Sequence, residues 1–106
     1  LSLGEMYRVA LFYEPGSKQY REVYEIAARQ YPDDIVANNN AAAALLLENN
    51  PQEALPYLEK VAGSNASFIN YGAYYYITGN RDKALEYLNR AKDAGYEIDD
   101  LTIDDL

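Results

Sequence analysis

The stretch GAYYYITGNRDKALEYL, from Gly72 to Leu88, decides how this chain folds. A glycine opens a run of three tyrosines, and a second, Gly79, stands just before a charged turn. Glycine inside a helix costs about 0.5–1 kcal/mol relative to alanine, so Gly72 in an apolar run needs a reason. Close crossing of two helices supplies one. A side chain at 72 would force them apart, and Ala84 is small on the facing helix for the same reason. Gly79-Asn80 then ends the first helix, with Gly79 supplying the positive φ that a C-terminal cap uses. Ala84, Leu88 and Ala91 recur at helical spacing beyond it. Successive residues point about 100° apart around a helix, so Tyr74, Tyr75 and Tyr76 cannot all face a core. Tyr75 is expected in the core and Tyr76 on an open face. The glycines serve packing, and a catalytic-loop reading of this stretch is disfavoured.

Working outward, the same punctuation recurs. Ser2-Leu-Gly-Glu5 has the form of a capping box. Leu3, Met6, Tyr7 and Ala10 follow at helical spacing, with Leu11 and Tyr13 after them, and Pro15-Gly16 closes the element. Ser17 opens a second helix, whose Tyr20, Val23, Tyr24, Ala27 and Tyr31 share one face, up to Pro32. Asp33-Asp34 opens a third, about 35–47, almost wholly apolar over its last two turns. Asn49-Asn50-Pro51 leads into a fourth, where Pro56 is expected to kink the helix before Gly63-Ser64 ends it. A fifth helix is expected over about 66–78 and a sixth over about 81–94. No strand pattern appears, so the chain reads as all-α with six helices.

Composition narrows the function classes. The chain has 106 residues, room for one domain with a modest core. Its net charge is −8, from 17 acidic and 9 basic residues, without a Lys/Arg cluster of the kind phosphate binding needs. Nucleic acid is therefore not an expected partner. With neither Cys nor His, the chain lacks a thiol nucleophile, the commonest general base and the usual zinc ligands. No catalytic residue, metal site or cofactor is expected. The longest apolar run, Ala41 to Leu47, falls far below the roughly 18 residues of a membrane span, so no direct membrane insertion is expected. The chain starts at Leu1 and its one methionine is Met6, which reads as a segment of a longer protein.

The helices repeat. Tyr20-Tyr24-Ala27, Ala54-Leu58-Val61 and Ala84-Leu88-Ala91 have the same spacing, and their starts lie 34 and 30 residues apart. A period near 34 in helix-turn-helix units marks a solenoid, and here the chain resembles the tetratricopeptide repeat family. The match is best where Phe68, Tyr71, Gly72 and Tyr75 take the family's first-helix places, with Gly79 at the turn and Ala84, Leu88 and Ala91 on the second helix. The middle unit is looser, with Asn38 where the family has a large residue, and it is four residues short. The first unit has a degenerate first helix. The resemblance implies a right-handed α-α superhelix of about three units, 1–34, 35–64 and 65–96. The acidic 97–106 then caps the end, with Ile98 and Leu101 covering the last helix. The four aspartates of that tail lack the spacing of a calcium loop.

What the resemblance implies for function is a noncatalytic scaffold. It would bind a peptide or partner helix in a concave face formed by the first helix of each unit. Carried over place by place, that face comprises Glu5, Val9, Phe12 and Tyr13, then Asn39, Ala43, Leu46 and Leu47, then Ile69, Ala73, Tyr76 and Ile77. Only Asn39 suits a carboxylate clamp, and no basic residue accompanies it. The alternative is a structural segment packed against a neighbouring domain of the parent protein, without an external partner. Two phrases, SLGEMYRVALFYEPGS and VYEIAARQYPDD, are also similar to the carboxy-terminal repeat region of OmpA-like cell-envelope proteins of Bacteroides-type bacteria. That likeness implies a periplasmic setting. Asn65-Ala-Ser67 matches a glycosylation acceptor, but Asn65 suits a helix cap equally well.

Overall fold

Helix boundaries in this chain are written by short polar side chains. The structure, a computed structural model, describes residues 1–98. Within them lie α1 (Leu3–Ala10), α2 (Lys18–Gln30), α3 (Ile35–Leu47), α4 (Pro51–Lys60), α5 (Phe68–Ile77) and α6 (Arg81–Asp93), with no strand among the described residues. Ser2 and Glu5 close a reciprocal capping box, with the Glu5 amide 3.2 Å from the Ser2 hydroxyl and the Ser2 amide 3.0 Å from the Glu5 carboxylate. These Ser2 contacts hold the Glu5 carboxyl below its usual range. The box is thus complete at neutral pH, and its contribution is lost as pH falls through that lowered value.

Ser17, Asp34, Asn50 and Asn80 each accept the amide three residues on, which satisfies a donor that helix geometry leaves free. One turn is used twice. Asn49 (φ 58°) and Gly79 (φ 87°) take left-handed backbone ahead of the capping asparagines. The Asn50 amide returns to the Leu45 carbonyl, as the Asn80 amide does to Tyr75.

Several boundaries differ from the sequence reading. The first helix stops at Ala10, because the Leu11, Phe12 and Tyr13 amides bond three residues back and tighten the chain into a turn. The fifth begins at Phe68 behind a 3₁₀ turn over Asn65–Ser67, and the Asn65 side chain does not cap it. α4 ends at Lys60, earlier than Gly63-Ser64, and runs on through Pro56. Ile98 is half-buried and Glu97 exposed, whereas Leu101 and the aspartates of the expected cap lie outside the described residues.

Packing proceeds from one end of the chain to the other, each helix against the next, in a body measuring 42 × 23 × 22 Å. Met6, Ala27, Ala28 and Ala37 form one buried cluster, and Ala10, Tyr24 and Ala41 a second. Ala42, Leu45, Leu46, Ala54, Leu58 and Tyr71 form the third, and Tyr57 packs against all three. The alanines let helix backbones approach, while leucine and tyrosine fill the wider spaces between them. The second helix is tied to the end of the third by Arg21, whose guanidinium sits 2.5 Å from both Glu25 and Glu48. Arg21→Ala is expected to cost about 1 kcal/mol, less at high salt, as read by urea unfolding at two ionic strengths.

Asn38 departs from the repeat pattern for a visible reason. It is fully buried, and its amide donates to the carbonyls of Pro32 (2.9 Å) and Asp34 (2.8 Å), clamping the turn between α2 and α3. Tyr7 reinforces that turn by donating its hydroxyl to Asp34. A large apolar residue at 38 would remove both bonds, leaving the Asp34 carbonyl only the residue-38 backbone amide (3.2 Å) and taking from the Pro32 carbonyl its amide donor. The Asn38 Oδ1 is itself buried without a hydrogen-bond partner among the described residues.

Candidate interaction groove

α3 and α5 contain no charged residue, and they lie side by side in parallel. At one end Asn39 meets the segment that leads into α5. Its amide donates to the Ala66 carbonyl at 3.0 Å, and the Asn70 amide donates to the Asn39 side-chain and backbone oxygens at 2.8 and 3.1 Å. At the other end Leu46 and Leu47 stand across from Ile77. Between these ends runs an open groove of about 330 Å³, lined by Ala43, Leu46, Leu47, Asn70, Ala73 and Ile77. Ala43 and Ala73 leave room at its middle, and the leucines and isoleucine wall one end.

Five of the six lining residues belong to the face carried over from the repeat pattern. They do not play equal parts. Leu46 is only 6% exposed and belongs to the buried cluster, so it forms the floor, whereas Leu47 is 68% exposed. Asn39 is half-buried, its amide nitrogen donating to Ala66 and its side-chain oxygen accepting from Asn70, which ties α3 to α5 and the turn before it. Tyr76 (61% exposed) and Ile69 are open to solvent on the same helix but do not line the groove.

α1 and α2 contribute nothing to this lining. Val9 turns instead into a crevice of about 140 Å³ between α1 and α2, with Leu1, Met6, Val23 and Ile26. Phe12 and Tyr13 fall in the turn after Ala10, and Phe12 is 86% exposed there. Glu5 is engaged with Ser2. The carry-over required a helix reaching residue 13, and the early end of α1 removes that premise.

Asn70 is the lining residue that sequence reasoning missed. The one signal for it is that Asn40 and Asn70 stand 30 residues apart, the spacing of the second and third units. Asn70→Ala removes both bonds to Asn39 and is expected to cost about 1–2 kcal/mol in urea unfolding.

The aromatic residues between α5 and α6 pack on one another. Tyr87 stacks on Tyr71 and Tyr75 with ring centres 5.0 and 5.6 Å away, Lys83 lies over Tyr75, and Arg90 lies over Tyr87. Tyr75, expected in the core, is half-buried within this stack. Burial raises the Tyr71 phenol above its usual value, so the ring stays neutral at physiological pH. Ser67 of the acceptor-like triplet is fully buried, with its hydroxyl donated to the Ser64 carbonyl.

The groove therefore offers apolar surface with a single amide side chain at one edge. That suits uncharged, apolar side chains, because a charge placed there would lose water without gaining a partner. No described helix is long and apolar enough to cross a membrane. No family model, no curated protein and no solved structure matches the chain.

Proposed function

We propose that the chain is a noncatalytic, tetratricopeptide-like interaction module that takes an apolar peptide or partner helix in the α3/α5 groove. The observation that carries this reading is the uncharged groove itself, with Leu47 at its edge exposed in a chain of net charge −8. Apolar patches rimmed by polar surface commonly mark protein partners. The sequence adds that no His or Cys is present for acid–base or nucleophilic work. The paired helices and the twice-used turn support a repeat architecture continuing as a superhelix. The bacterial envelope setting is proposed from the two phrases quoted above.

Capture from a bacterial envelope extract tests the reading. Leu47→Asp is expected to lose a protein that the unaltered chain retains, while circular dichroism shows the variant folded. Equal capture by both, or none by either, would contradict it.

A second reading has its own observation. Leu11 and Phe12, in the turn after α1, are more than four-fifths exposed. They suit packing against a neighbouring domain of a longer protein, which is the structural role. Under that reading Phe12→Ser, and not Leu47→Asp, would expose the junction of the two domains to protease.

A further inference from the structure

We draw no further inference here: the strongest candidate, the apolar crevice between α1 and α2 lined by Leu1, Met6, Val9, Val23 and Ile26, is an unpartnered face, and nothing in the structure shows what covers it.

Discussion

Leu46→Asp is expected to unfold the middle of the chain, whereas Leu47→Asp, one residue on, leaves it folded. Leu46 is 6% exposed and belongs to the cluster with Ala42, Leu45, Ala54, Leu58 and Tyr71, so a carboxylate there loses most of its water and gains no cation. Losing the buried leucine costs about 2–3 kcal/mol, and an uncompensated buried charge adds about 3–5 kcal/mol. Together these rival the whole stability of a domain of this size, about 5–15 kcal/mol. Leu47 is 68% exposed, and the same substitution there is expected to change stability by less than about 0.5 kcal/mol. Thermal and urea unfolding of the two variants check the contrast. Equal losses would mean that the α3 face is rotated from the one described.

The second large effect concerns Gly72. A Cβ built there would sit 2.9 Å from both Cγ and Cδ2 of Leu88, and 3.6 Å from the Ala84 carbonyl oxygen. In an open helix Gly→Ala stabilises by about 1 kcal/mol. Here the sign is expected to reverse, with Gly72→Ala losing about 1 kcal/mol and Gly72→Val about 2–3 kcal/mol. Leu88→Ala removes the opposing atoms, so Gly72→Ala in that background is expected to be neutral or stabilising. The double-mutant cycle should therefore return a coupling of about 1–2 kcal/mol. Additive effects would show that the two helices do not meet at this point.

These two positions also show how much the residues disclosed beforehand. The crossing at Gly72 was legible because an interior helical glycine is costly and needs a local cause. The cause differs in detail: Leu88 fills the space, and Ala84 contributes its backbone. The turns were legible from residue type, Asn49-Asn50-Pro51 as a helix start and Gly79 as a positive-φ cap, whereas the left-handed Asn49 was not foreseen.

The groove was legible only where two neighbouring helices keep the repeat spacing. Ala43, Leu47, Ala73 and Ile77 fall where the pattern puts them, between α3 and α5. Val9, Phe12 and Tyr13 do not, because three amides tighten the chain after Ala10 and a period cannot foresee a short helix. Nor can it tell floor from rim. Leu46 and Leu47 are alike by composition, and only the burial of Leu46 in the cluster with Leu58 and Tyr71 separates them. Asn38 and Asn39 show the same limit. Their bonding depends on carbonyls of a turn and on a residue 31 positions away.

Site-specific photocrosslinking tests whether the α3/α5 groove meets another protein, as proposed. A benzophenone side chain placed at Leu47, at Phe12 or at Glu86 on α6 is irradiated in cells that produce the protein. An adduct with another protein is expected from position 47 and none from position 86. Adducts within the same polypeptide from position 12 alone, or equal labelling from all three, would contradict it.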